Sequence, residues 1–533
     1  MIRRSAQSVR PSNLAIPMWI GVVIAWPGIA QPAEPITRPN VLFVAVDDLK
    51  PVLGCYGDTT VQTPNIDRLA QQGTVFLNAH CQQAVCGPSR ASLLTGLRPD
   101  HTGVWDLKTK IRDVNPNIIT LPQYFKQHGY ETVGLGKVFD FGTVDSGEQS
   151  DAISWSRPYV NPQLNDDLAF GHYDPEFVEY CRMRISAEDK VKKRWVELCK
   201  AVGGIPPTEG SADVPDATYN EGIYAQSAVE LIEELACSNK PFFLAVGFQK
   251  PHLPFIAPKK YWDLYDRNGF QANTLQSATV GAPSFTYQDS WELRNGTYSG
   301  IPKEGDIPIS TQRELLHGYH ACVSYVDKQV GRLIYALEAS GVAENTIVVL
   351  WGDHGYHLGD HGMWCKHTEY EQATRSPLIL SVPQIRSQAV ESPSPVELLD
   401  IFPTLCEAAG LPVPEQLEGV SLLPILQDPD TLIKPAAVSQ YQRFDESGPM
   451  MGYAYRTKRY RYIEWVSKSF REQEHSGPIV AREFYDYQAD PFEMLNLIDD
   501  PAYRNAVADL ESIARELDLS GAQYEDSTIK YGP

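Results

Sequence analysis

The segment Cys86-Gly-Pro-Ser-Arg90 combines a nucleophile with a cation in one short stretch of chain. Pro88 favours the first turn of a helix, so we expect Cys86 at a helix N-terminus. Free backbone N–H groups and the helix dipole at that end favour negative charge on the Cys86 side chain, and Arg90 returns to the same side about one turn later. By itself this pattern fits either a low-pKa thiolate, as in cysteine hydrolases and redox enzymes, or a structural cysteine.

Two pairs that contain aspartate follow predicted strands far apart in the sequence, namely Asp47-Asp48 and Asp353-His354. Neighbouring carboxylates repel each other unless a cation or protons neutralise them. Each pair alone fits an ordinary turn or helix cap, where aspartate is common. If both pairs meet Cys86 at one sheet edge, they predict a hard cation bound by oxygen atoms.

Two further basic residues follow predicted strands, Lys137 and His252, and a third, Lys366, lies in Gly362-Met-Trp-Cys-Lys-His367. A lysine in such a position is usually solvated, and a single histidine usually makes only an ordinary hydrogen bond. Their residue types alone therefore assign them no role.

The elements that would position these side chains alternate between strand and helix. Continuous apolar runs predict buried strands at Val41–Val46, Thr74–Leu77, Glu131–Leu135, Phe242–Phe248 and Thr346–Trp351. Helical patterns lie between them, at Asn65–Gln72, Leu121–His128, Tyr224–Ala236 and Leu315–Leu337. This alternation predicts an α/β fold with a large, mostly parallel sheet sandwiched by helices. The candidate residues all follow strands, at the sheet edge where open α/β sheets bind ligands.

The remaining sequence suggests how the chain is divided. Two polar stretches rich in proline and glycine, 140–222 and 258–314, are predicted to be insertions over the site. Beyond Pro424 the pattern predicts a smaller C-terminal α+β subdomain, with short strands in Met450–Trp465 and Ala481–Tyr487 and a helix at Asn505–Leu517. We predict a signal peptide at 1–30, a catalytic domain at 39–424 and the C-terminal subdomain at 425–533.

The N-terminal region has the layout of a secretory signal. Arg3, Arg4 and Arg10 precede an apolar run over 14–29, and small residues follow near Ala30. A membrane anchor is disfavoured because the run is short and contains prolines. No later segment reaches spanning length. We therefore expect an exported protein without stable membrane insertion, either periplasmic or secreted, or lysosomal in a eukaryote.

The formal net charge is −21, which argues against a nucleic-acid partner because phosphate binding needs a basic surface. An anionic substrate would require a local cluster of lysine, arginine and histidine. The nine cysteines are too few for a disulfide framework in a chain of 533 residues. If one disulfide forms, we expect it to join Cys181 and Cys199.

The Cys-x-Pro-Ser-Arg motif, with Leu94-Thr-Gly96 downstream, resembles the signature of the sulfatase family in the alkaline-phosphatase-like superfamily. Further stretches are similar to the iduronate-2-sulfatase branch of that family, at 46–58, 82–86, 250–255 and 451–462. The resemblance extends over nearly all of the chain from Pro39 onward. It implies an alkaline-phosphatase-like fold and the hydrolysis of sulfate esters. Sulfated uronate glycans are the first expected substrates, and algal sulfated polysaccharides would suit the same pocket.

The resemblance also implies a cofactor and a covalent modification. In sulfatases the signature cysteine is oxidised to formylglycine (3-oxoalanine) by a formylglycine-generating enzyme, and the hydrate supplies a geminal diol as the nucleophile. The resemblance assigns calcium to Asp47, Asp48, the matured Cys86 and Asp353. His354 stands where many sulfatases have asparagine, and it would join that ligand set.

By the same resemblance, Lys137 and Lys366 hold the sulfate group. His252 would protonate the leaving alcohol, and Arg90 would steady the hydrated aldehyde. One position departs from the family pattern, because sulfatases commonly have histidine where this chain has Asp140. The group that accepts the proton during sulfate release is thus open, and the candidates are Asp140, His128, His357 and His361.

Three other functions remain open at this stage. The first is a formylglycine-dependent phosphonate or phosphodiester hydrolase of the same superfamily. The second is a catalytically weak protein that binds sulfated glycans, which Asp140 makes conceivable. The third is a cysteine hydrolase, disfavoured because no oxyanion-hole pattern or His–Asn pair accompanies Cys86.

Overall fold

The computed structural model describes residues 38–144, 150–160, 183, 195–210, 212–272, 275–385, 389–472 and 476–523. The predicted signal peptide, Cys181 and nearly half of the first predicted insertion lie outside these residues. Within the described part of the chain, no helix combines the length and the apolar character needed to cross a membrane.

The described residues before Ala437 form thirteen strands. They are β1 (Asn40–Val46), β2 (Thr74–Phe76), β3 (Ala79–His80), β4 (Glu131–Gly136), β5 (Thr208–Glu209), β6 (Phe242–Phe248), β7 (Phe255–Ile256), β8 (Thr346–Gly352), β9 (His357–Leu358), β10 (Trp364–Cys365), β11 (Leu378–Ser381), β12 (Val390–Ser392) and β13 (Val396–Glu397). Seven of them form the central sheet in the spatial order β12-β2-β11-β8-β1-β6-β4. Only β11 runs antiparallel to its neighbours within this sheet. The predicted mostly parallel sheet is confirmed, with one strand reversed.

Helices cover both faces of this sheet. In chain order they are α1 (Pro64–Ala70), α2 (Cys86–Thr95), α3 (Pro99–Thr102), α4 (Ile111–Val114), α5 (Leu121–Gln127), α6 (Trp195–Ala201), α7 (Asn220–Ala236), α8 (Lys259–Trp262), α9 (Trp291–Arg294), α10 (Ile309–Ala339), α11 (Glu371–Thr374), α12 (Ile401–Ala408) and α13 (Leu423–Gln427). The side chains of β1 alternate between two buried cores. Leu42, Val44 and Val46 pack with α7 and α10, whereas the intervening residues pack with α2, α5 and α12. Burial on both faces explains why β1 is apolar at consecutive positions.

The predicted elements recur with small shifts at their ends. The largest difference is α10, which begins at Ile309 and not at Leu315. Apart from Ile309, the residues before Leu315 are polar, so the apolar periodicity that signals a helix starts only after them.

A second sheet lies in the C-terminal part of the chain. It contains β14 (Ala437–Asp445), β15 (Gly448–Arg456), β16 (Tyr460–Ser467), β17 (Gly477–Asp486) and β18 (Ala522–Gln523), and α14 (Arg504–Leu517) packs against it. The stretch predicted to hold short strands at Met450–Trp465 is a hairpin of β15 and β16. The boundaries of the predicted domains stay predictions.

Buried ion pairs attach this second sheet to the segment that carries Lys366. Arg461 lies 2.9 Å from Glu371 and 3.0 Å from Glu493, and Arg456 lies 2.8 Å from Glu371. Because Glu371 begins α11, shortly after Lys366, the C-terminal sheet supports one wall of the candidate site.

Parallel strands place their carboxyl ends at one edge of the central sheet. Asp47 follows β1, Lys137 follows β4 and Asp353 follows β8, while His252 comes four residues after the end of β6. The topology therefore brings four of the candidate residues to one edge.

Candidate active site

Two strand ends and one arginine form the floor of the site. Arg90 lies with Nη2 3.0 Å from Asp47 Oδ1 and Nε 2.9 Å from Asp353 Oδ2. The backbone N–H of Asp48 donates to Asp353 Oδ1 at 3.0 Å. All four residues are almost fully buried. The two acidic pairs thus meet, and a single guanidinium holds one carboxylate from each.

Helix α2 begins at Cys86, as the motif predicts, and presents Arg90 to this floor. Arg90 Nη1 also donates to the carbonyls of Lys137 and Val138, the latter at 3.0 Å, so the helix is tied to the end of β4. A Cβ on Gly87 would lie 2.7 Å from Thr143 Cγ2, and only glycine allows this approach. The guanidinium that we expected to steady a hydrated aldehyde is engaged with Asp47 and Asp353 in this structure.

The side chain of Cys86 lies against the residues of the floor. Cys86 Sγ lies 3.3 Å from His354 Nε2 and 4.0 Å from Asp48 Oδ1. His354 Nδ1 donates to the Gly355 carbonyl at 2.8 Å, and therefore a neutral ring carries its lone pair on Nε2. That nitrogen also lies 3.4 Å from Asp48 Oδ1 and 3.6 Å from Asp353 Oδ1.

This donor set fits a bound cation. Ligand atoms of Asp47, Asp48, Cys86 and His252 lie within 4.8 Å of one another, and so do those of Cys86, Asp353 and His354. The lone pair of His354 Nε2 and the carboxylate oxygens of Asp48 and Asp353 are all electron-rich, so they repel one another at these distances. A cation bound between them would remove this repulsion. The carboxylates supply the oxygen ligands that calcium prefers.

The unmodified Cys86 thiol is a poor nucleophile in this environment. Burial raises its pKa well above the ordinary value and Asp47 adds to this, while Lys137 and Lys366 oppose the effect. A thiol with a raised pKa holds its proton at neutral pH, whereas a cysteine hydrolase needs the thiolate. The low-pKa interpretation of the motif is therefore wrong for the unmodified side chain.

Two lysines contact the floor, each through a different aspartate of the Asp47-Asp48 pair. Lys137 Nζ lies 2.6 Å from Asp47 Oδ2, and Lys366 Nζ lies 2.8 Å from Asp48 Oδ1. Lys366 is buried and stands between two non-glycine residues with left-handed backbone, Cys365 at φ 72° and His367 at φ 77°. Such a backbone costs on the order of 1–3 kcal/mol per residue and is typically retained at functional positions.

His252 approaches from the loop after β6, with 27% of its side chain exposed. Its Nδ1 donates to the Leu253 carbonyl at 2.6 Å, and its Nε2 faces Asp48 Oδ2 at 3.9 Å and Glu292 Oε1 at 3.1 Å. Burial alone would lower the pKa of His252, but Asp48 and Glu292 outweigh burial and raise that pKa. The ring is thus suited to carry protons on both nitrogens.

The four candidates for the proton acceptor have different surroundings. Asp140 places Oδ2 3.6 Å from Lys137 Nζ. His128 bonds the Tyr124 carbonyl at the end of α5, next to the amino end of β4 and so at the opposite sheet edge. His357 is held by Asp360 and by Thr368, the latter at 2.8 Å, and His361 packs on Tyr370. The contact with Lys137 favours Asp140.

One further residue of the site was missed in the sequence. Glu292, in the second predicted insertion, lies 3.1 Å from both Lys366 Nζ and His252 Nε2. It is a single glutamate in a polar stretch without periodicity, so no local signal distinguishes it from a solvated side chain.

The site can be compared with known proteins. A family model described as Sulfatase matches residues 39–411. The chain belongs to the sulfatase family. It is therefore a sulfuric ester hydrolase. A second family model, described as the C-terminal region of N-sulphoglucosamine sulphohydrolase, matches residues 359–519. The sulfatase is 34% identical to iduronate 2-sulfatase of Homo sapiens over 552 residues, which covers 91% of this chain and 96% of that protein. The resemblance seen in the motifs is confirmed.

Solved structures share the fold of this sulfatase. BT4656, in complex with its substrate D-glucosamine-2-N,6-O-disulfate, superposes with a TM-score of 0.65 at 22% identity and covers 91% of this chain and 99% of its own. The phosphonate monoester hydrolase of Silicibacter pomeroyi superposes with a TM-score of 0.67 at 19% identity, covering 92% and 97%. These likenesses confirm the alkaline-phosphatase-like fold.

Proposed function

We propose that this sulfatase removes sulfate from a sulfated, uronate-containing glycan, using a formylglycine made from Cys86 and a bound calcium ion. The observation that carries the proposal is the position of residue 86. Its side chain lies 3.3 Å from the Nε2 lone pair of His354 and 4.0 Å from Asp48, among buried cations and carboxylates. The similarity to iduronate 2-sulfatase, and the sulfated sugar bound by BT4656, support a saccharide substrate.

Five residues would hold the calcium ion: Asp47, Asp48, residue 86, Asp353 and His354. When bound, the ion supplies positive charge that stabilises the oxygens of the sulfate group and of the nucleophile. The residues of this chain fix the ligands in advance. Arg90 orients Asp47 and Asp353, and the Gly355 carbonyl fixes the tautomer of His354.

A formylglycine at position 86 supplies, as its hydrate, a geminal diol whose hydroxyl can attack sulfur. Helix α2 favours negative charge at this position, because residue 86 is the first residue of the helix and the N-terminal N–H groups point toward it. The site is also almost closed to solvent, since residue 86 is 3% exposed. Exclusion of water strengthens every electrostatic contact with the developing charge.

Lys137 and Lys366 would hold oxygens of the sulfate group. In this structure they contact Asp47 and Asp48, and an incoming sulfate offers each of them a second anionic partner within reach of residue 86. His252 would protonate the leaving alcohol, since its Nε2 lies 3.9 Å from Asp48 and its raised pKa favours a proton on that nitrogen.

Asp140 would accept the proton that must leave the hydroxyl of residue 86 during sulfate release. It occupies the position where sulfatases commonly have histidine, and its carboxylate lies 3.6 Å from Lys137 Nζ. Lys137 in turn contacts Asp47 beneath residue 86. A carboxylate at this position can perform the same proton transfer as an imidazole.

The proposal has two consequences for the cell biology of the protein. Maturation of Cys86 requires a formylglycine-generating enzyme as a partner. The predicted signal peptide directs the chain out of the cytoplasm, to the periplasm, the extracellular space or a lysosome.

The function is tested by comparing initial rates on 4-nitrophenyl sulfate, an aryl phosphodiester and an aryl phosphonate, using protein isolated from its native source. We expect the sulfate ester to be hydrolysed fastest. Faster cleavage of the diester or the phosphonate would overturn the proposal in favour of the other branch of the superfamily. A panel of sulfated uronate disaccharides then tests the substrate class, and retention of these sugars without release of sulfate would indicate a binding protein.

A further inference from the structure

We infer that Glu292 is a positioning residue that fixes Lys366 and His252 relative to each other and weakens the binding of sulfate. The inference rests on the proposed function, because it takes the roles of Lys366 and His252 from it. Glu292 comes from a segment that the sequence predicts to be an insertion.

One oxygen of Glu292 bridges two cations from different parts of the chain. Oε1 lies 3.1 Å from Lys366 Nζ and 3.1 Å from His252 Nε2. The two nitrogens therefore cannot be further apart than twice that distance. His252 follows β6 and Lys366 follows β10, and the other carboxylate that both approach is Asp48. Glu292 thus sets the spacing of the two groups on the open side of the site.

The bridge is anchored to the segment that carries Lys366. Trp364 N donates to Ser290 Oγ at 2.9 Å, and Gln288 Nε2 donates to the Trp364 carbonyl at 2.7 Å. These two bonds tie residues 288–290 to β10 immediately before Glu292. The Glu292 side chain is 16% exposed and lies on the first turn of α9. A carboxylate anchored in this way acts as a fixed part of the wall.

A fixed anion next to a sulfate-binding lysine and a proton-donating histidine has opposite effects on binding and on turnover. Its charge opposes an incoming sulfate, so binding of sulfate is weaker than the two cations alone would give. Its contact with Nε2 at 3.1 Å holds the His252 ring in one orientation, which a proton donor needs at the moment when the leaving alcohol departs. Loss of the charge should therefore tighten sulfate binding while slowing the esters with the poorest leaving groups.

The test compares Glu292→Gln with the parent in two assays. Isothermal titration with inorganic sulfate should show at least a threefold tighter complex in the variant. Turnover of phenyl sulfate, whose phenolate is a poor leaving group, should fall at least tenfold. Turnover of 4-nitrophenyl sulfate should fall much less, because 4-nitrophenolate departs with little need for a proton. Glu338→Gln, which breaks a surface pair with Arg68, is the matched control and should leave both quantities unchanged.

Unchanged or weaker sulfate binding in Glu292→Gln, or equal loss of turnover on both esters, would overturn the inference. If this variant does not fold, Glu292→Ala carries the same two expectations. The sulfate titration needs no turnover, so it tests the charge effect even if the parent, with position 86 matured, hydrolyses no sulfate ester. Absence of ester hydrolysis by the matured parent would refute the proposed function, but it would leave the inferred charge effect of Glu292 on sulfate binding intact.

Discussion

Replacing Arg90 with methionine tests whether one buried guanidinium organises the floor of the site. The change removes the contacts at 3.0 Å to Asp47 and 2.9 Å to Asp353 and leaves two carboxylates buried together. Breaking a buried ion pair by removing one partner costs about 3–5 kcal/mol. A chain of this length unfolds with an entropy of about 1 kcal/mol/K at its midpoint, so a loss of about 4 kcal/mol lowers the unfolding midpoint by about 4 °C.

The assay is thermal unfolding of parent and variant in the same buffer, with Arg68→Met as the matched control. Arg68 pairs with Glu338 at 2.8 Å on the surface, and its loss should cost less than about 1 kcal/mol. Arg90→Lys keeps the charge but cannot reach both carboxylates in the fork geometry, so its midpoint should lie between parent and methionine variant. An Arg90→Met midpoint within about 1 °C of the parent would refute the reasoning.

Three further predictions follow from the same geometry. Chelation with EGTA should abolish 4-nitrophenyl sulfate hydrolysis and lower the unfolding midpoint. Calcium should restore both quantities better than magnesium, because magnesium demands stricter octahedral geometry. Activity that survives chelation would exclude the metal. Asp140→Asn should lower kcat at least about tenfold while Asp140→His retains it, and equal rates in parent and Asn variant would exclude Asp140 as the proton acceptor. Burial raises the pKa of Glu369 to about 8, although Arg461 and Arg443 oppose this. The folded protein therefore retains a proton that the unfolded chain loses near pH 4–5, and stability falls as the pH rises from about 4.5 through 8. Glu369→Gln should raise the free energy of unfolding more at pH 8 than at pH 5, measured by urea denaturation; an equal effect at both pH values would contradict the assigned pKa.

The core of the sheet and much of the site follow from the sequence for a simple physical reason. Strands β1, β6 and β8 are apolar at consecutive positions because both faces are buried, and this pattern is visible without coordinates. Parallel strands end at one edge, so the acidic pairs after β1 and β8 were expected to meet. Strand β11 and its reversal were not predicted, because an apolar run of only three residues, Leu378–Leu380, is a weak strand signal and has the same pattern in either direction.

The side-chain partners within the site could not be read from the sequence. The motif indicated that Arg90 faces residue 86, but its fork spans two carboxylates that only the fold brings together. Glu292 is separated from Lys366 by 73 intervening residues, and its role depends on the bonds that tie its segment to Trp364. Such contacts arise from tertiary packing and leave no periodic trace in the sequence.

The nature of residue 86 decides whether the proposed chemistry can occur. The direct measurement is mass spectrometry of the peptide containing residue 86, from catalytically active protein isolated from its native source. We predict the mass of formylglycine at this position and its capture by an aldehyde-reactive hydrazide. An unmodified cysteine thiol throughout the active protein would contradict the account.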